Sequence, residues 1–237
     1  MRFFLAILTI LFPLVVHATD VNLESLELSG EYGLGFHTLK GEQKANNSKG
    51  QLTSEANPYW SGSITKRLGT NYGFRIFGGV QFVRFSEPAY ATLKNENQIL
   101  NQFGLEVLRK NSPLTRIGLF IMQQDHPLYF AKTATEFEVT KKSFVQSGIH
   151  LSMGQRRRIG LLWGMGIKGY ALFPSAGGDV ATEGGAGGEA YAKLGFVGPL
   201  GTLYNLKGFY QAATAPNADI NFSHEVLGYC FSVTHSF

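Results

Sequence analysis

Large apolar side chains return at every second position in segment after segment of this chain. From Leu227 to Phe237 the alternate residues Leu227, Tyr229, Phe231, Val233 and Phe237 are large and apolar, with His235 the weak member. The residues between them, Gly228, Cys230, Ser232, Thr234 and Ser236, are small. A period of two is that of a β-strand whose faces meet different surroundings. The stretch from Leu26 to Leu39 repeats the pattern: Leu26, Leu28, Tyr32, Leu34 and Phe36 share one face, and Glu27, Ser29, Glu31, Gly33, Gly35 and His37 the other.

Eight more segments read the same way: 59–68, 72–84, 98–109, 115–124, 144–153, 159–173, 188–197 and 202–212. Short connections at 69–71, 110–113, 154–158 and 198–201 alternate with long polar ones at 40–57, 86–97, 125–135, 174–187 and 213–219. Each segment is about as long as the 9–11 residues a tilted strand needs to cross hydrocarbon. In hydrocarbon an unpaired backbone N–H or C=O costs several kcal/mol, so no sheet edge can stay open. The pattern therefore predicts an all-β fold, an antiparallel transmembrane β-barrel of about ten strands, the last pairing with the first. Eight or twelve strands stay open, because 125–140 is ambiguous.

Composition narrows this picture. Met1-Arg2, an apolar run of about 14 residues from Phe3 to Val16, and the small residue Ala18 before Thr19-Asp20 predict a secretory signal peptide over 1–18, with the barrel over 19–237. The run is shorter than the roughly 20 residues of a spanning helix. The single cysteine, Cys230, excludes an internal disulfide and lies far from the cleavage site expected of a lipid anchor. A net charge of +4, with no basic run interleaved with aromatics, argues against nucleic acid as a partner. Mean hydropathy of −0.03 fits a greasy outside averaged with a polar inside.

With its alternating end on Phe237, the chain resembles the bacterial outer-membrane β-barrel proteins of Gram-negative cells. The resemblance implies an outer-membrane location with both termini periplasmic, short periplasmic turns and long external loops. It also implies that Tyr229, Phe231, Val233 and Phe237 act as the signal read by the barrel assembly machinery. The implied partners are that machinery and outer-membrane lipid or lipopolysaccharide; the oligomeric state is left open. Tyr72, Trp60, Phe173, Tyr204, Tyr229 and Phe237 are expected to form the interfacial aromatic girdles, with Trp163 either among them or at mid-membrane.

The candidate chemistry lies on the inward face. Glu27, Glu31, Arg67, Arg75, Glu106, Arg116, His150, Lys168, Glu189, Lys193 and Lys207 are predicted to line the lumen. Charges at membrane depth are costly unless paired or hydrated, and a barrel near eight strands is filled by its own side chains. Two readings follow: a salt-bridged plug of Glu106 and Glu189 against Arg75, Arg116, Lys168, Lys193 and Lys207, or a narrow basic, porin-like pore. The leading expectation for function is a small pore or a scaffold presenting external loops. An adhesin working through those loops is one alternative. A membrane-embedded hydrolase is the other. His150-Leu151-Ser152 resembles the His-x-Ser pair of the barrel enzymes that deacylate lipid A. There the pair faces lipid, whereas here both residues point inward, with no obvious carboxylate to orient the histidine. Ten strands also resemble the omptin proteases, whose site holds an Asp-His couple. Asp125 and His126 are adjacent, so in a strand they point to opposite faces. The histidines are scattered without metal-ligand spacing. The glycine-rich stretch 174–187 lacks the Gly-Lys-Ser/Thr of a phosphate loop. No metal and no cofactor is expected.

Overall fold

The computed structural model describes residues 26–44, 49–88, 92–112, 114–133, 136–156, 160–175, 182–216 and 220–237. The signal-peptide expectation falls outside them. Twelve strands follow in order: β1 (Leu26–Gln43), β2 (Lys49–Thr53), β3 (Asn57–Leu68), β4 (Tyr72–Arg84), β5 (Thr92–Lys94), β6 (Asn97–Lys110), β7 (Thr115–Thr133), β8 (Glu136–Arg156), β9 (Leu161–Pro174), β10 (Gly185–Val197), β11 (Leu203–Pro216) and β12 (Ile220–Ser236). Ten of them form a closed antiparallel barrel, in the order β1-β3-β4-β6-β7-β8-β9-β10-β11-β12. β12 returns to β1 in register from Glu27↔Ser236 to Gln43↔Ile220, and the Phe237 N–H donates to the Leu26 carbonyl at 2.9 Å. Every strand edge at membrane depth is thereby paired.

The strands run further than the alternation foretold, and three of the five expected long connections, 40–57, 125–135 and 213–219, are largely strand. The 40–57 region is a hairpin: β2 continues the ladder of β3 alongside β1, pairing Thr38↔Thr53 to Glu42↔Lys49. β7 and β8 pair from Thr115↔Met153 to Thr133↔Glu136, so 125–133 is not a loop. β11 runs to Pro216, past the end expected at Ala212. Within the 86–97 connection, β5 adds a short parallel pairing to β8 at Thr92↔Glu136. Gly154, expected to open a turn, is strand, and β8 runs on to Arg156. The reason is physical. Beyond the hydrocarbon the outer wall faces water, so outward positions stop being apolar and the period-two signal fades while the backbone ladder continues.

That change marks the far edge of the apolar belt. Outward positions turn polar between Phe36 and Lys40 on β1, between Ile121 and Gln123 on β7, between Val145 and Ser143 on β8, and between Leu227 and Glu225 on β12, while on β4 and β6 the apolar Phe82 and Ile99 reach further. Below this line the outward side chains are large, apolar and exposed, among them Tyr32, Ile64, Leu119, Ile149, Ile167, Leu194, Leu206 and Phe231. The end that carries Leu26, Phe237 and the short connections is called here the terminal end, and the opposite one the far end.

Candidate functional site in the barrel interior

The inward face is layered. Nearest the terminal end is a layer of ion pairs. Glu106 faces Arg75 at 3.5 Å and His150 at 2.5 Å. Glu189 accepts from Lys168 at 2.9 Å and lies 3.4 Å from Lys207. Glu31 accepts from Ser61 Oγ at 3.1 Å and faces Lys207, Arg75 and Lys168 across the lumen. Glu27 pairs with Arg67. The Lys207 ammonium also sits over the Tyr191 ring, 5.0 Å from its centre. Buried charge at this depth is tolerable because it is paired on both sides.

Two glycines make the central contact possible. Glu106 on β6 reaches His150 on β8 by crossing Gly118 on β7, where an added Cβ would lie 2.8 Å from the carboxylate. Tyr191 on β10 reaches the other face of His150 by crossing Gly166 on β9, where a Cβ would lie 2.6 Å from the ring. The result is a hydrogen-bonded line. Glu106 Oε1 meets His150 Nδ1, His150 Nε2 meets the Tyr191 hydroxyl at 2.9 Å, and Ser152 meets the Tyr191 hydroxyl in turn.

Above this layer the lumen is apolar: Phe120, Met122, Phe144, Tyr170, Leu172, Ala213 and Ala215 pack together with Phe77 against them. Next comes a layer of neutral polar groups built on three histidines. His37 Nδ1 lies 2.8 Å from His224 Nε2, and His224 Nδ1 lies 3.2 Å from His126 Nδ1. The Gln146 amide nitrogen donates to His126 Nε2 at 2.8 Å and to Gln124 Oε1 at 2.9 Å. Gln211 links Gln124 to the Tyr170 hydroxyl. The Gln146 donation assigns the tautomers along the line. His126 carries its proton on Nδ1 and gives it to His224 Nδ1. His224 carries its own on Nε2 and gives it to His37 Nδ1. The proton of His37 is then on Nε2, which has no partner among the described residues. His126 stands beyond the outward polar positions Gln123 and Ser143, and His224 stands one residue beyond Glu225. Burial holds both imidazoles neutral: it drives His126 down to about 4 against the pull of Asp125, and His224 well below its ordinary value. A cavity of about 10 Å³ lies between His126, His224, Phe144, Leu172 and Phe222, room for about one water. The far end is capped by a second apolar cluster of Leu39, Leu52, Val83, Phe85, Leu93, Leu100, Tyr129 and Val139.

The structure sorts the sequence expectations. All of Glu31, Arg75, Glu106, Arg116, His150, Lys168, Glu189, Lys193 and Lys207 stand on inward positions of their strands, but the expected plug is incomplete. Arg75, Lys168 and Lys207 are paired with Glu106 or Glu189, whereas Arg116 and Lys193 have no acidic partner within ion-pair distance among the described residues. The reading that no carboxylate orients His150 is corrected: Glu106 does, from a strand two places away. His150 and Ser152 share the inward face, yet the imidazole bonds the Tyr191 hydroxyl, which stands between it and Ser152. Asp125 and His126 point to opposite faces of β7. Asp125 accepts outside from Asn101, Ser143 and Lys141, while His126 is inside. The scattered histidines of the sequence include three that the fold brings together. Their inward phase on β1, β7 and β12 is the available signal, hidden around His126 and His224 because the outward positions beside them are polar.

No protein-family model matches the chain, and no curated protein matches its sequence. Solved structures do match. The outer membrane protease OmpT from Escherichia coli aligns with a TM-score of 0.58 at 11% identity, covering 91% of this chain and 98% of that one. The β domain of the Bordetella autotransporter BrkA gives 0.42 at 8% identity, covering 88% and 100%. The outer membrane protein OprG from Pseudomonas aeruginosa gives 0.37 at 8%, covering 89% and 95%. The first of these likenesses shows the fold: the chain is a transmembrane β-barrel of the Gram-negative outer-membrane kind.

Proposed function

We propose that this protein is an outer-membrane barrel with a closed lumen, a membrane-anchored scaffold that presents its far end outside the cell and keeps both termini in the periplasm. The observation that carries this reading is the stack inside the barrel. Two apolar clusters lie across the lumen with the histidine layer between them, around a space for about one water. Among the described residues the presented surface is built largely of strand hairpins, and its charges are largely paired: Lys49 with Glu42, Lys94 with Glu136, Arg84 with Glu96, and Lys40 with Glu225. The apolar belt is the surface for outer-membrane lipid, and Tyr229, Phe231, Val233 and Phe237 are the residues offered to the assembly machinery. A hydrolase is the weaker reading, because Tyr191 separates His150 from Ser152 and Asp125 faces away from His126.

The test is single-channel conductance of the refolded protein in a planar bilayer, with folding verified by heat-modifiable migration on a gel. A folded, electrically silent barrel supports the scaffold. Steady conductance rejects it in favour of a pore.

A further inference from the structure

We propose that the terminal end of the lumen is a blind, cation-lined vestibule that binds a small multivalent oxyanion, a carboxylate or a phosphate, through Arg116 and Lys193. The proposal rests on the lumen being closed above it. Three observations meet here. First, the charge ledger is uneven with depth. The pairs of the ionic layer engage Arg75, Lys168 and Lys207, while Arg116 on β7 and Lys193 on β10 stand nearer the mouth without an ion-pair partner among the described residues, Glu31 acting on Lys193 only from beyond ion-pair distance.

Second, both stand where their neighbours repel them. Lys193 is directly opposite Lys207 in the β10–β11 ladder, and Arg116 directly opposite Lys110 in the β6–β7 ladder. Like charges so placed are destabilising, and Lys193 also faces Arg116 and Arg75 across the lumen, with Glu31 the carboxylate that offsets them. An anion held between them relieves that repulsion.

Third, the ionic layer turns its positive side to the water. In each pair the carboxylate is the buried member: Glu106 keeps 2% of its side chain exposed against 29% for Arg75, and Glu189 keeps 12% against 20% for Lys168 and 19% for Lys207. The accessible wall is therefore cationic although the layer as a whole is balanced. Low-dielectric walls lined by one sign of charge concentrate the opposite ion.

The experiment is calorimetric titration of the full refolded protein in detergent at low salt, with inorganic phosphate in one arm and citrate in the other. Saturable one-to-one binding is expected in at least one arm, and the arm that binds assigns phosphoryl or carboxylate chemistry. Affinity should fall at least tenfold in Arg116→Gln and in Lys193→Gln. It should persist in Arg116→Lys and Lys193→Arg, and be unchanged in the far-end variant Lys141→Gln. Each variant is compared only when its heat-modifiable migration shows a folded barrel, and the two charge-keeping variants keep the test decisive if a glutamine variant does not fold. Absence of saturable binding to the unmodified protein overturns the proposal. So does equal weakening in Lys141→Gln, or undiminished binding in both glutamine variants. Conductance tests the closure separately: a conducting barrel that still binds through Arg116 and Lys193 removes the closed lumen and keeps the site.

Discussion

Glu106 Oε1 lies 2.5 Å from His150 Nδ1, although β7 separates their strands, because the residue between them is Gly118. The contact also anchors Arg75, 3.5 Å from the other carboxylate oxygen. Removing the carboxylate leaves a buried imidazole and a guanidinium without their acceptor. Glu106→Ala should therefore destabilise the refolded barrel by about 3–5 kcal/mol, the usual cost of breaking a buried pair. In a double-mutant cycle with His150→Gln the losses should fall short of additivity by about 0.5–3 kcal/mol. Urea unfolding in detergent reads both. Simple additivity would mean that the two side chains do not act as one unit.

The glycine seats make a sharper prediction, because they separate crowding from mere exposure. A methyl at Gly166 meets the Tyr191 ring at 2.6 Å, and one at Gly118 meets Glu106 and Leu108 within 2.9 Å. Alanine at either position should cost about 1–3 kcal/mol through overpacking. Gly30 stands on the outward face of β1 with nothing within 4 Å of an added Cβ, and Gly30→Ala should stay within about 0.5 kcal/mol. Equal effects at all three positions would show that backbone entropy, not the contact with His150's partners, governs these sites.

Phe237 tests the reading of the last strand as an assembly signal. Its backbone N–H closes the ladder at Leu26, but its ring is exposed on the outer wall and touches His235 edge-on at 4.7 Å. Phe237→Ala keeps the backbone bond. Refolded from urea, the variant should lose no more than about 1 kcal/mol. In cells its yield of heat-modifiable barrel in the outer membrane should fall several-fold. A normal cellular yield would leave the aromatic end with no role beyond lipid contact.

The sequence was most legible where two different solvents meet. On every spanning segment one face touches lipid and the other a polar lumen, so positions such as Ile64, Leu119, Ile167 and Phe231 declared their direction, and with it the strand count and the closure. Legibility failed beyond Lys40, Gln123 and Glu225, where the outer wall is wet and apolar residues such as Leu39, Val83 and Phe85 point inward instead. The phase of the strand continues there while the meaning of its faces reverses, so hairpins carry the polar pattern of loops. The interior chemistry was half visible. Inward charges could be named from phase alone. Which of them meet could not, since the Glu106–His150 contact depends on stagger around the barrel and on the two glycines that let long side chains cross a strand.

The histidine layer gives the acid response. In the folded barrel burial holds His126 near 4 and His224 well below its ordinary value, whereas in the unfolded chain both titrate at about 6.5. Between those values the unfolded state binds more protons than the folded one, so stability must rise with pH across that window. The contribution is fully present above about pH 6.5 and is lost as pH falls toward 4. Asp125 does not share the effect. Burial opposes its ionisation, but Ser143, the Asn101 N–H and Lys141 outweigh that and hold it below the ordinary carboxyl value, so it stays charged throughout. The line of rings has no room for an added proton either: His224 uses both nitrogens on other imidazoles, and a second N–H on it would point at the proton of His126. The unfolding midpoint in urea should therefore drop steeply between pH 6.5 and pH 4. In His126→Asn/His224→Asn, a variant expected to be less stable at neutral pH by about 1–3 kcal/mol for its broken hydrogen bonds, the fall over the same interval should be clearly smaller, with His37, buried in the same line, keeping its share. A double variant as steep as the parent would place the acid sensitivity elsewhere in the barrel.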